Sequence, residues 1–196
     1  MSRAKQIKHI VIHCSAGNGL IPAIENFWYS PKSKGGLGWK NPGYHVIIYV
    51  DGQTWYVTKD GTYSTDKSKW YPELICNGVL GWNKECLHIN YIGGVEKKIK
   101  NGKETWIAKD TRTDEQKGAI IEAITECMKW LKDNGNTLTD LKILGHRDFS
   151  DDKNGNGVIE SWERIKECPS FDAISEYGWI AYTNENNKAF ELPIKK

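Results

Sequence analysis

The segment Ile7-Lys8-His9-Ile10-Val11-Ile12-His13 is rich in β-branched residues and stops at a small, polar run, Cys14-Ser15-Ala16-Gly17-Asn18-Gly19. Branching at Cβ restricts χ1 and suits a pleated backbone, so a short apolar run of this kind reads as a buried strand entering a loop. A buried strand needs neighbours on both edges and a covering layer, which makes a sheet-based domain the starting point. It also leaves His13 at the strand's C-terminal end.

The rest of the chain supplies the neighbours and the cover. Ile21 to Tyr29 is a short amphipathic stretch, followed by a loop rich in Gly, Ser and Lys from Ser30 to Pro42 that lacks periodicity. Gly43-Tyr44-His45-Val46-Ile47-Ile48-Tyr49-Val50 and Gln53-Thr54-Trp55-Tyr56-Val57 flank Asp51-Gly52, a dipeptide suited to a two-residue type I′ hairpin turn. Leu87 to Gly94 alternates as a strand, Lys97 to Thr111 is polar with Asn101-Gly102 suggesting an exposed hairpin, and Leu141 to Leu144 is one more short strand delivering Gly145-His146-Arg147-Asp148. The clearest helix runs from about Asp114 to Lys132. Thr113 and Gln116 form a capping box at its start, Ile120, Ile124, Cys127, Met128 and Leu131 recur on one face, and Asn134-Gly135 stops it. The expectation is one α/β domain over residues 1–182, a mixed central β-sheet flanked by helices, with a polar tail over 183–196.

Composition narrows the function. With 39% hydrophobic residues, 27% charged residues and 22 aromatics in 196 residues, the chain is expected to fold. Its formal charge of +2 is interspersed rather than gathered in a stripe, which disfavours nucleic-acid binding. No run is long and apolar enough for a bilayer span, and Met1 to Gln6 leads into the first strand without a signal-peptide core. A soluble monomer, cytoplasmic when made, is therefore expected. Five cysteines at uneven spacings (Cys14, Cys76, Cys86, Cys127, Cys168) argue against a full disulfide framework, although a Cys76–Cys86 bridge stays open.

Catalytic zinc takes three nitrogen, sulfur or oxygen ligands from the protein and keeps one position open. His13 and His146 end predicted strands, and Cys168 lies in Lys166-Glu167-Cys168-Pro169-Ser170-Phe171-Asp172. Each alone also reads as a structural or merely exposed residue, and Cys14, facing away from His13, reads as a core thiol. Together, Ile12-His13-Cys14-Ser15-Ala16, Gly43-Tyr44-His45, Tyr91-Ile92-Gly93-Gly94, Gly145-His146-Arg147-Asp148 and the Cys168 segment occur in an order that resembles the zinc-dependent N-acetylmuramoyl-L-alanine amidases of the phage lysozyme and peptidoglycan recognition protein superfamily, over roughly residues 7–177.

That resemblance implies an amidase-like fold, zinc ligation by His13, His146 and Cys168, catalytic roles for Tyr44 and Lys166, and cleavage of the bond between N-acetylmuramic acid and L-alanine in peptidoglycan. It also implies an endolysin or prophage setting. A non-catalytic peptidoglycan-binding module of the same fold is the alternative. His45 and His88 read as structural or as supports to the ligands rather than as ligands.

Between His146 and Cys168 the chain carries an insert, residues 150–164, that shorter members of that family lack. Within it, Asp152-Lys153-Asn154-Gly155-Asn156-Gly157-Val158-Ile159-Glu160-Ser161-Trp162-Glu163 fits the spacing of a calcium loop, with Asp152, Asn154, Asn156, Val158 and Glu163 as the oxygen donors. The same residues also read as a polar turn. Trp28, Tyr29 and Trp39 around the Ser30–Pro42 loop invite a further reading as sugar-stacking platforms.

Overall fold

The computed structural model describes residues 2–100 and 102–181; the polar tail expected over 183–196 lies outside the described residues. Among the described residues eight strands form, β1 His9–Cys14, β2 Val46–Ile48, β3 Thr54–Val57, β4 Tyr63–Ser64, β5 Cys86–Tyr91, β6 Val95–Lys100, β7 Lys103–Ala108 and β8 Lys142–Gly145, with helices α1 Ile21–Tyr29, α2 Asp114–Asp133 and α3 Ala173–Tyr177. Six strands make one sheet in the order β4-β3-β2-β5-β1-β8, while β6 and β7 pair separately as a hairpin. Strands β2, β5, β1 and β8 run parallel, and β3 and β4 return antiparallel at one edge. This is the mixed sheet the sequence pattern predicts.

Parallel strands covered on both faces should be apolar throughout, and β1 and β5 are buried at every position. The pleat divides them. Ile10, Ile12 and Cys14 of β1 and Leu87, Ile89 and Tyr91 of β5 join Ile120, Ile124, Cys127 and Leu131 of α2 in the main core. On the other face Val11 packs with Val79, Leu144 and Phe149, and Ile47 packs with Ile21 and Trp28 of α1. Helix α2 begins with the capping box read from Thr113 and Gln116, both reciprocal bonds being present. The Gln116 amide also donates to Ile92 O, fastening the helix start to the end of β5.

Two local expectations need correction, and one reading left open is decided. The β2–β3 hairpin does not use a two-residue type I′ turn: Gly52 N–H donates to Tyr49 O and Tyr49 N–H to Gln53 O, so Val50, Asp51 and Gly52 form a three-residue loop. Of Asp51 and Gly52 only Gly52 takes positive φ (82°), which closes the loop without placing Asp51 in a strained region. The Ser30–Pro42 loop contains a single 3-10 turn, Lys32–Lys34. All five cysteines are free, so Cys76 and Cys86, both buried, are not bridged.

Candidate metal centre

The parallel register explains how residues far apart in sequence converge. Ile12 of β1 sits opposite Gly145 of β8, so His13 and His146 each come one residue later, at the C-terminal ends of adjacent strands. That edge is where open α/β sheets usually bind ligands. Cys168 reaches it from the loop before α3 through three ties: its carbonyl accepts from Arg147 N–H (2.8 Å), its sulfur accepts from Cys14 N–H (3.2 Å), and the Tyr91 hydroxyl donates to the carbonyl of Pro169 (2.6 Å). The Cys168–Pro169 peptide is cis.

His13, His146 and Cys168 offer ligand atoms that all lie within 4.8 Å of one another. The two Nδ1 atoms are 3.2 Å apart, and His13 Nδ1 is 3.8 Å from Cys168 Sγ. A tetrahedral zinc with bonds of about 2.0 Å to nitrogen and 2.3 Å to sulfur places such atoms about 3.3 and 3.5 Å apart. Both separations at His13 lie within a few tenths of an ångström of those values, and a pair of imidazoles with a sulfur is a donor set suited to zinc.

Electrostatics favours lone pairs over protons on the imidazoles. Burial holds His13 well below the ordinary imidazole range, helped by His146 and Lys166. Burial likewise brings His146 down to about 4, and the Lys166 ammonium is the next contributor. Burial raises the Cys168 thiol, while the Cys14 N–H and the Lys166 charge act in the opposite direction. A bound dication would add to that pull and secure the thiolate.

Tyr44 stands two residues before the start of β2, its ring 5.0 Å from that of His13 and 5.3 Å from that of Trp28. Burial raises its phenol above the ordinary tyrosine value, so it remains protonated at neutral pH. Lys166 is exposed, yet its charge is felt at both histidines and at the cysteine. Three of the five residues expected to carry chemistry, His13, His146 and Cys168, thus meet at one point with the Tyr44 ring beside them.

His45 and His88 lie behind it. His45 Nδ1 accepts from His88 N–H and its other nitrogen meets Leu74 O at 2.9 Å, while His88 Nδ1 lies 3.1 Å from His13 Nε2. Sequence reasoning missed Asn90, which pairs in register with His13 and is fully buried with neither side-chain polar atom partnered among the described residues. Its place in the strand alternation, two residues after His88, was the available signal. Of the aromatics around the Ser30–Pro42 loop, Trp28 is 3% exposed and stacks on Trp39, making it core rather than platform, whereas Tyr29 remains 39% exposed.

The insert closes on itself. The Asp152 carboxylate accepts from Gly155 and Gly157 N–H, and buried Glu163 accepts from Lys153, Asn154 and Glu160 N–H. Asn154 and Asn156 donate their amides to Glu160. A 3-10 turn, His146–Phe149, precedes the loop in place of a helix.

Among the described residues no helix is long and apolar enough to cross a membrane. No protein-family model matches the chain. A 33-residue stretch is 58% identical to an uncharacterized protein of Haemophilus influenzae, spanning 17% of this chain and only 28% of that protein. Solved structures are similar over much longer spans. The N-acetylmuramoyl-L-alanine amidase LysC of Clostridium intestinale aligns over 89% of this chain and 84% of its own, at 18% identity and TM-score 0.51. A peptidoglycan recognition protein chain from the complex of the LCa and LCx ectodomains with tracheal cytotoxin aligns over 92% and 86%, at 18% identity and TM-score 0.54. Drosophila PGRP-LB aligns over 93% and 86%, at 16% identity and TM-score 0.50. The sheet order, the flanking helices and these alignments together show that the chain shares the mixed α/β fold of these N-acetylmuramoyl-L-alanine amidase and peptidoglycan recognition protein structures.

Proposed function

We propose that this protein is a zinc-dependent hydrolase of bacterial peptidoglycan, cleaving the amide between the lactyl group of N-acetylmuramic acid and L-alanine, in wall breakdown of the endolysin or prophage type. The observation that carries the reading is the convergence of His13, His146 and Cys168 at one sheet edge with ligand atoms within 4.8 Å of one another and the Tyr44 ring beside His13. Metal bound there would supply Lewis acidity and an activated water at neutral pH.

The chain's own groups do the rest. His13 and His146, held neutral by burial, would hold the metal through nitrogen, and Cys168 would hold it as thiolate. Tyr44, protonated and beside His13, donates a hydrogen bond to the attacking water or the scissile carbonyl oxygen. The Lys166 ammonium stabilises the negative charge that develops on that oxygen. Water adds to the lactyl carbonyl carbon, the C–N bond breaks, and the alanine nitrogen leaves with a proton. The products are a free lactyl carboxylate and a new L-alanine amino terminus.

Calcium belongs to the same proposal as a second ion. The spacing of Asp152, Asn154, Asn156, Val158 and Glu163 supports it, and the cation would brace the segment leading to Lys166 and Cys168.

The test is incubation of purified protein with peptidoglycan, scoring new L-alanine amino termini with and without a chelator. Release that stops on chelation and returns with zinc is expected. Release unaffected by chelation would overturn the metal reading, and peptidoglycan binding without release under any condition would favour the non-catalytic module.

A further inference from the structure

We infer that His88 is a positioning residue that fixes which nitrogen of His13 faces the metal; this rests on the metal reading of the His13, His146 and Cys168 cluster. His13 presents Nδ1 to the cluster, 3.2 Å from His146 Nδ1 and 3.8 Å from Cys168 Sγ. Its Nε2 points the other way, into the sheet, and meets His88 Nδ1 at 3.1 Å. A neutral imidazole that ligates through Nδ1 carries its proton on Nε2. His13 Nε2–H therefore donates to His88 Nδ1, and His88 carries its own proton on Nε2. The ring behind the ligand locks both the tautomer and the rotation of His13.

Two further observations separate His88 from an ordinary packed histidine. Its Nε2 is buried with no hydrogen-bond partner among the described residues. An apolar side chain of similar size would avoid that cost, so packing alone does not explain a histidine here. The fold also makes room for the ring at one place: a Cβ on Gly78 would come within 2.4 Å of His88 Nδ1. Glycine at 78 lets the backbone lie against the nitrogen that His13 needs.

His45 does not share the role. Its Nδ1 is taken by His88 N–H, and its Nε2 donates to Leu74 O. It braces the His88 backbone and stacks on the ring, with centroids 5.6 Å apart.

The test compares zinc affinity, by competition with a chromophoric chelator, in wild type, His88→Asn, His88→Gln and His88→Leu. The visible spectrum of each cobalt-loaded protein and the thermal midpoint of each metal-free protein are recorded beside it. Asparagine can place its Oδ1 near the position of Nδ1, whereas glutamine places its oxygen near that of Nε2. Zinc affinity is expected to fall about 10- to 100-fold in His88→Leu and His88→Gln, with an altered cobalt spectrum, and to recover to within a few-fold in His88→Asn. Wild-type affinity and spectrum in His88→Leu would overturn the inference, as would an equal loss in all three variants that tracks only their metal-free stability. Should His88→Leu fail to fold, the asparagine–glutamine contrast decides alone. Absence of zinc binding by the wild type would overturn this inference together with the metal reading. Zinc binding without peptidoglycan cleavage would overturn the amidase proposal and leave the role of His88 standing.

Discussion

Replacing Cys168 by serine should separate metal binding from folding. In the metal-free protein the sulfur accepts one hydrogen bond, from Cys14 N–H at 3.2 Å, which a serine oxygen can also accept. The Cys168 carbonyl bond to Arg147 N–H and the Tyr91 bond to Pro169 O involve main-chain acceptors and survive the change. Metal-free stability should therefore shift by less than about 1 kcal/mol. Zinc linkage is another matter. The ligand atoms already lie within 4.8 Å of one another, and free zinc at about 1,000 times Kd is expected to stabilise the wild type by about 4 kcal/mol. For a domain of this size that is a rise of roughly 8–16 °C in Tm. Losing a direct ligand costs at least the ~100-fold in affinity that an outer partner can cost. At the same zinc concentration the variant would then gain about 1.4 kcal/mol or less, roughly 3–6 °C. Thermal unfolding followed by circular dichroism, on protein stripped of metal and then titrated with zinc, reads both quantities. An equal zinc shift in wild type and Cys168→Ser would refute the ligand assignment.

Tyr44→Phe and Lys166→Met should each lower the rate of L-alanine amino-terminus release about 10²- to 10³-fold while leaving zinc affinity nearly unchanged, and parallel loss of affinity would mean a structural role instead. His9 gives a pH prediction away from the ligands: burial lowers its pKa from 6.5 to about 4, beside the rings of Trp82 and Phe149. A depressed histidine pKa means that the unfolded chain binds the proton first, so stability is full above about pH 6.5 and is lost as pH falls toward 4. Denaturant unfolding of metal-free protein at pH 7 and pH 4.5 should show His9→Leu losing about 2–3 kcal/mol less than wild type over that interval, and equal losses would refute the assignment. Calcium should raise the wild-type Tm, and Asp152→Ala or Glu163→Gln should abolish the rise; no wild-type rise, or the same rise in the variants, rejects the calcium loop.

Local chemistry made much of the molecule legible in advance. The β-branched run before His13 could only be a buried strand, Thr113 and Gln116 announced the start of α2, and the words around His13, Tyr44, His146 and Cys168 identified the residues that meet. These are short-range properties, set by side-chain branching, capping bonds and helical or strand period. Where the outcome depended on how segments paired and packed, the sequence was silent. The hairpin loop gained a residue because the pairing of Tyr49 with Gln53 left three residues between the strands. Trp28 went into the core because Trp39 and Tyr44 came to it.

The candidate metal site shows the same division more sharply. The donors themselves, two imidazoles and a thiol with a tyrosine and a lysine, were legible along the chain. Their meeting came from the fold: the parallel register of β1 and β8 aligns His13 with His146, ties from Arg147, Cys14 and Tyr91 draw in Cys168, and His88 stands behind His13 against Gly78. The physical reason is that a ligand set is a matter of distances of a few ångströms between atoms many residues apart, and those distances are fixed by sheet register and packing rather than by local preference.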